Sequence, residues 1–333
     1  MGNRDEFAGS ICVVGPGAIG ITIAARLSLA GLAPNLVARG ESIGFIKRNG
    51  IRLFDLEGEH HSQVSVGRAG DFGPQDIVFL CPKSQDMPEM AKDIQPLIAD
   101  HTMIVPLING IPWWYFDGEG DRWGGFDITS VDPDHVIKKL IPSRQVIGTT
   151  TMIAAERLRV GTARTIHPMH LTIGELDDHP SKRLEDLAGI LRRSGIEVRV
   201  ASRIRDAVWT KVVRNLISNP VTAITGATLG ENFGDKHLAS ISRQMLHEVL
   251  PVIAAYGSKL ELDPDEILES GRRLGEIKTS MLQDLERGNP LELAAICDAV
   301  LELADRRGID LPIVRAITGI AHFKSRDRRR DVA

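Results

Sequence analysis

Four apolar residues, Ile11 to Val14, run directly into Gly15-Pro16-Gly17-Ala18-Ile19-Gly20. The apolar positions that follow (Ile21, Ile23, Ala24, Leu27 and Ala30) keep helical spacing until Gly31. No other stretch limits the fold so strongly. A short strand that turns through three glycines into a helix opens a βαβ unit. Gly15 permits the tight turn, Gly17 lets the backbone approach a pyrophosphate, and Gly20 lets helix and strand pack closely. The unpaired N–H groups of the helix N-terminus then face the anion. A bare G-x-G-x-x-G is weak evidence. In this context it predicts a dinucleotide site built from Gly15, Pro16, Gly17, Ala18, Ile19 and Gly20.

The chain continues in the same idiom. Leu36 to Ala38, Asp76 to Leu80 and Thr102 to Ile108 read as strands, separated by helical patterns over Ser42 to Asn49 and Asp86 to Ile98. Alternation at this spacing predicts a parallel, doubly wound sheet. Ile51 to Phe54 and Gln63 to Val66, joined around Glu57-Gly58, read as an inserted hairpin. Strand-like residues return over Val146 to Gly174, then a helix over Ser181 to Arg193 and a strand over Glu197 to Val200. Beyond Arg203 helical patterns run nearly to the end. Asp263-Pro264 and Asn289-Pro290 each set an N-cap residue before a Pro at the first helical position. The reading is an α/β chain: a doubly wound sheet domain over 1–201, carrying an inserted aromatic loop over 111–143, and an all-helical domain over 202–333.

Composition excludes several functions. The 333 residues, 43% apolar and 25% charged, are those of an ordinary globular protein, and a net charge of −4 disfavours nucleic acid as partner. The basic run Lys324 to Arg330 reads as a solvated tail. No apolar run approaches the roughly 18 residues of a membrane span. Met1-Gly2 is followed by Glu6 where a myristoylation signal wants Ser or Thr. Cys12, Cys81 and Cys297 are widely spaced and read as buried residues in a reducing compartment, so a cytoplasmic protein is expected. His167-Pro-Met-His170 has no matching carboxylate motif, and no metal is expected.

Arg39 follows the second strand where an Asp or Glu would bind a ribose 2′-hydroxyl. A guanidinium suits a 2′-phosphate, so NADP (as NADPH) is favoured over NAD, with Glu41 close by as the opposing signal. Downstream, Trp209 to Pro220 reads as a helix that places Lys211, Asn215 and Asn219 at i, i+4 and i+8, in one row beside apolar rows. A polar stripe on an amphipathic helix would look the same. An ammonium beside buried surface, however, calls for something anionic or polar to meet it.

Taken together, these pieces resemble the ketopantoate reductase family (2-dehydropantoate 2-reductases) over nearly the whole chain. The matching pieces are Gly15 to Gly20, Arg39, Lys83 after the third strand, Asn109-Gly110 after the fourth, the Trp209 to Pro220 helix, Ser280-Met-Leu-Gln-Asp284 and Glu292. The resemblance implies a Rossmann-type N-terminal domain and an NADPH-dependent reduction of a 2-oxo acid to a 2-hydroxy acid. It implies Lys211 as general acid and Glu292 as its partner or a ligand of the substrate hydroxyl. Asn109, Asn215, Asn219 and Ser280 would bind substrate, and Lys83 and Asn109 would sit toward the nicotinamide ribose. Three of these have a plainer reading: Glu292 as N3 of a capping box on Asn289, Ser280 bonding its own backbone, Lys83 an ordinary loop lysine. A different 2-oxo acid, a ketone or an imine would suit the same scaffold. A non-catalytic NADPH-binding regulator would keep Gly15 to Gly20 and Arg39 but have no use for Lys211, Asn219 and Glu292 together.

Two stretches depart from the family: Leu293 to Asp298 after the glutamate, and the long segment after Gly110. Six of the fifteen aromatics (four Trp, two Tyr, nine Phe) fall there, at Trp113, Trp114, Tyr115, Phe116, Trp123 and Phe126. A satellite core or subunit contact is one reading, and a lid that reshapes substrate choice is the other. The aromatic segment and the helices of the second half also offer apolar surface for a homodimer.

Overall fold

Ile11–Val14 (β1) is buried along its whole length because a parallel strand has helices on both faces. The computed structural model describes residues 7–123 and 126–330. The first helix, α1 (Ala18–Leu29), follows, then β2 (Asn35–Val37) and α2 (Glu41–Asn49). Next come β3 (Ile51–Asp55), β4 (Gly58–Ser62), β5 (Ser65–Gly67), β6 (Ile77–Leu80), α3 (Met87–Asp93) and β7 (Met103–Pro106). The central sheet is parallel, with strand order β5-β2-β1-β6-β7. After α4 (Val136–Leu140) the chain forms β8 (Gly148–Met152), β9 (Ala155–Arg159), β10 (Thr162–Thr165), β11 (His170–Gly174), α5 (Lys182–Arg193) and β12 (Glu197–Val200). Two smaller sheets result, β4-β3-β10-β9 and β12-β11-β8.

The remainder is helical: α6 (Ile204–Leu216), α7 (Asn219–Thr225), α8 (Leu229–Gly234), α9 (Lys236–Ala255), α10 (Pro264–Arg272), α11 (Ser280–Glu286), a π-turn over Ala294–Asp298, α12 (Ala299–Asp305) and α13 (Pro312–Arg330). Among the described residues no helix is long and apolar enough to cross a membrane.

Several expectations need correction. The hairpin partner of β3 is Gly58–Ser62, not residues 63–66; Ser65–Gly67 leaves the hairpin and extends the central sheet beside β2. The helix expected over 86–98 is α3 alone, followed by a single 3-10 turn at Gln95–Leu97, because Pro96 cannot supply a helical N–H. The basic run at the C-terminus is not a separate tail but the end of α13, although the side chains past Arg326 lie outside the described residues, as does the Met1-Gly2 terminus. Asp263 does cap α10, accepting from the Asp265 N–H at 2.8 Å.

The chain divides into two compact units. The first holds residues 1–108, 116–125 and 136–204; the second holds 109–115, 126–135 and 205–333. The segment expected to be an insertion of the sheet domain therefore belongs in part to the helical unit. The reason is apolar burial. Trp113, Trp114 and Tyr115 are 2%, 1% and 2% exposed. Within the helical unit Tyr115 stands edge-on to Trp209 and to Tyr256, and its hydroxyl accepts from the Trp209 indole at 2.7 Å. The buried Arg205 guanidinium donates to the Tyr115 carbonyl at 2.8 Å. Farther along, the Glu302 carboxylate takes the Thr129 and Ser130 N–H groups at 2.9 and 2.7 Å. Phe116 and Trp123 are buried together in the first unit. Five of the six clustered aromatics are thus core residues, and only Phe126 stands partly open, under the Arg306 guanidinium.

In the first unit a buried charge cluster fastens the hairpin to the helix behind the glycine turn. Arg26 of α1 contacts Asp55 at 2.8 Å and Glu57 at 2.9 Å, and His60 reaches Asp55 at 3.0 Å. The Asp55 side chain is 1% exposed. Replacing Arg26 with Met takes the guanidinium from that carboxylate and leaves it to His60 and the Glu57 N–H, and breaking a buried pair in this way costs about 3–5 kcal/mol. Urea unfolding of Arg26→Met should show a loss of that size, and Arg26→Met/Asp55→Leu should recover most of it.

Candidate active site

The glycine turn is built as its spacing requires. Gly15 sits at φ +102°, a conformation that favours glycine, and its N–H bonds the Val37 carbonyl at 3.1 Å. A Cβ on Gly20 would lie 1.9 Å from the Gly15 carbonyl oxygen, so the crossing of turn and helix admits no side chain there. Gly17, by contrast, is the N-cap of α1, has no side-chain cap bond, and a Cβ on it would meet nothing nearer than 3.9 Å. Open space thus lies in front of uncapped helix N–H groups, with Pro16, Ala18 and Ile19 half-buried around it. That combination fits a pyrophosphate.

Arg39, two residues beyond β2, is exposed and its guanidinium meets Asp93 at 2.6 Å and Glu89 at 3.6 Å. Lys83, half-buried, precedes the 3-10 turn Ser84–Asp86 after β6. All of these residues belong to the first unit.

Lys211, Glu292, Asn109, Asn215, Asn219 and Ser280 all belong to the second. Lys211 lies mid-way along α6 between the buried Val208 and Val212. Burial pushes its ammonium down to about 8, the Arg214 guanidinium acts in the same direction, and the Glu292 carboxylate opposes them. Glu292 is 5% exposed and accepts from the Asn109 amide at 3.3 Å. Three residues far apart in sequence thus form one cluster: an ammonium of lowered pKa, a buried carboxylate facing it, and an amide on that carboxylate.

The row predicted on a single helix is broken. α6 ends at Leu216, and α7 begins at Asn219. Pro220 has no N–H to give the Leu216 carbonyl, so the ladder cannot continue. The Ser218 hydroxyl donates to the Arg214 carbonyl at 2.7 Å and so satisfies one of the last carbonyls of α6. Proline here opens the next helix, where its missing N–H costs nothing. Lys211 and the half-buried Asn215 therefore share α6, whereas Asn219 heads α7. Its side chain is buried, and among the described residues its amide nitrogen has no hydrogen-bond partner. A buried orphan donor of that kind is costly unless a ligand answers it.

The capping box on Asn289, the plainer reading of Glu292, does not form. Asn289 closes the end of α11, its N–H and its amide reaching the Asp284 carbonyl and carboxylate at 2.8 and 3.2 Å. The helix after it starts later, with the Ile296 N–H bonding the Glu292 carbonyl at 3.2 Å. Ser280 is exposed at the first position of α11, and its neighbour Thr279 makes the cap. The Thr279 hydroxyl meets that of Thr222 at 2.7 Å, which ties the start of α11 to α7, the helix that Asn219 begins. Sequence reasoning passed over Arg214, whose signal was a second cation one turn from the lysine, and Thr279, the N-cap that its position before Ser280 could have revealed. Among the described residues no group of three or more His, Cys, Asp or Glu side chains is placed to hold a metal ion.

Comparison with known proteins identifies the family. The profile of the family described as ketopantoate reductase PanE/ApbA matches residues 11–178, and its C-terminal counterpart matches 203–325. The 2-dehydropantoate 2-reductase of Mesorhizobium japonicum is 36% identical over 304 residues, covering 91% of this chain and 93% of the relative. That of Archaeoglobus fulgidus is 27% identical over 308 residues, covering 92% and 95%. A solved structure from Ralstonia solanacearum MolK2, provisionally assigned as a ketopantoate reductase, superposes with a TM-score of 0.91 at 31% identity, covering 96% of this chain and 98% of the other. With two profiles spanning most of the sequence and a relative of this identity over nine-tenths of it, the chain belongs to the ketopantoate reductase family.

Proposed function

We propose that this chain reduces a 2-oxo acid, ketopantoate foremost, with NADPH, and that Lys211 delivers the proton. The observation that carries the reading is the Lys211–Glu292–Asn109 cluster. Reduction adds hydride to the carbonyl carbon and builds negative charge on oxygen. A bound nicotinamide supplies the hydride. Lys211 gives one proton from Nζ to that oxygen and is left neutral, to be reprotonated from solvent. An ammonium titrating near 8 parts with its proton more readily than an ordinary lysine, yet still carries it at neutral pH. Before the step, its positive charge suits the substrate carboxylate.

Glu292 holds the ammonium in place and favours its charged form. Asn109 occupies one carboxylate oxygen at 3.3 Å and so orients the other. The orphaned Asn219 amide is a donor suited to the substrate's carboxylate or hydroxyl, with Asn215 and Ser280 as further polar contacts. Pyrophosphate would lie on Gly15 to Gly20, with Lys83 and Asn109 toward the nicotinamide ribose. Arg39 favours the 2′-phosphate, since β2 ends without an acidic side chain and leaves an exposed guanidinium; Asp93 and Glu89 hold it until the phosphate replaces them. Buried free thiols at Cys12, Cys81 and Cys297 suit a reducing cytoplasm. Exposed Ile320 and Phe323 on α13, 48% and 68%, suit a homodimer, which light scattering would reveal.

As general acid, Lys211 must be protonated, so kcat/KM for NADPH oxidation with ketopantoate should be flat near neutrality and fall as pH rises through about 8. Glu292→Gln removes the charge that raises this pKa, so the alkaline limb should move to lower pH. Lys211→Ala should lose roughly 10²–10⁴-fold in kcat, the usual worth of a positioned acid. Full turnover by Lys211→Ala would refute the assignment. For the cofactor, Arg39→Ala should raise KM for NADPH by about ten- to a hundredfold, from loss of a charged hydrogen bond of about 1.5–3 kcal/mol, and leave KM for NADH nearly unchanged. Wild-type preference for NADH over NADPH would overturn the 2′-phosphate reading.

A further inference from the structure

Asn109 reaches Glu292 because the backbone beside each is locked to the other at one point. The Ile111 N–H donates to the Ala295 carbonyl at 2.8 Å. Ala295 lies in the π-turn Ala294–Asp298, one of the wider turns in which a helix accommodates an outside partner. Gly110, between Asn109 and Ile111, has φ +87°. A Cβ placed on it would come within 2.5 Å of the carbonyl carbon, the oxygen and the Cβ of Ala295. The seat therefore tolerates no side chain at 110 and only a methyl at 295. Ala295 is itself 1% exposed, so a larger group there has no solvent space to turn into and crowds the backbone at Gly110.

This contact lies one residue from Asn109 and three from Glu292. The Asn109–Glu292 bond, at 3.3 Å, is already near the long end of the hydrogen-bond range, so a displacement of a few tenths of an ångström in either strand of backbone breaks it. Leu293 to Asp298 is one of the stretches that depart from the family pattern, and the π-turn within it supplies the seat.

We propose that Ala295 is a positioning residue: its π-turn carbonyl and small methyl seat Gly110 and Ile111, and so fix the Asn109 amide on the Glu292 carboxylate that partners Lys211. Ala295 touches neither substrate nor proton in this scheme and acts through Asn109. The inference rests on the proposed role of Lys211 and Glu292, and its test is arranged so that the two can fail separately.

The test is a graded series, Ala295→Gly, Ala295→Ser and Ala295→Val, assayed with ketopantoate and NADPH beside Lys211→Ala. Each variant is followed by kcat, KM, the pH profile of kcat/KM and Tm. Ala295→Gly keeps the seat open and should stay within about threefold of wild type. Ala295→Val should lose about 10²-fold in kcat/KM, the scale of a misplacement near 1 Å, and its alkaline limb should move to lower pH as Glu292 loses its hold. Ala295→Ser, one atom larger, should fall between and serves in place of the Val variant if that one does not fold. A simple packing defect would lower Tm without moving the pH limb. Wild-type kcat/KM in both larger variants, or a loss that leaves the pH limb unmoved, overturns the inference while an inactive Lys211→Ala leaves the proposed function standing. An active Lys211→Ala overturns both.

Discussion

An ammonium held within the apolar face of α6 is the feature on which the helical unit turns. Desolvation of a lysine favours its neutral form, and the nearby Arg214 guanidinium reinforces that tendency. Glu292 is the group that pulls the other way, and it is itself buried. A buried carboxylate with one poor partner would be as costly as the lysine alone. The Asn109 amide and the Gly110–Ala295 seat supply its further support. The Tyr115 hub and the Glu302 clamp then anchor, within the same unit, the two stretches of the aromatic segment, the first of which begins with Asn109. Much of what reads in the sequence as an inserted loop is thus the mounting of one side chain.

The sheet unit solves a different problem by simpler means. The glycine turn, proposed as the cofactor cradle, needs no charge of its own, only an absence of atoms. Gly20 is excluded from bearing a side chain by the Gly15 carbonyl, whereas Gly17 has free space before it. Uncapped N–H groups at the start of α1 complete it. On the proposed reading, chemistry is concentrated in the helical unit and nucleotide binding in the sheet unit.

Much of this was legible in advance. The strand-to-helix glycine turn, the parallel sheet and the helical second half followed from spacing alone, because backbone sterics and periodic burial leave few alternatives. Glu292 and Asn109 stood out only as members of a family pattern, since nothing local tells a glutamate at a site from a helix cap, whereas Lys211 was already marked by its place in a polar row on an apolar helix. Errors arose where one proline or asparagine has two local uses. Pro220 was read as the end of one helix and proved to open the next, and Asn289-Pro290 was read as a helix start when Asn289 closes α11. The placement of 109–115 with the helices was hidden for another reason. Which core claims Trp113, Trp114 and Tyr115 depends on partners some ninety residues and more away, and periodicity carries no such information.

The central claim is that Lys211 is a proton donor made acidic by burial and held by Glu292. Direct titration of its Nζ tests this without reference to turnover, by NMR of the protein with ¹³C-methylated lysines, the resonance assigned through Lys211→Arg. The account predicts a midpoint near 8 that moves lower in Glu292→Gln. A midpoint at the ordinary lysine value of about 10.4, unmoved by that substitution, would contradict it.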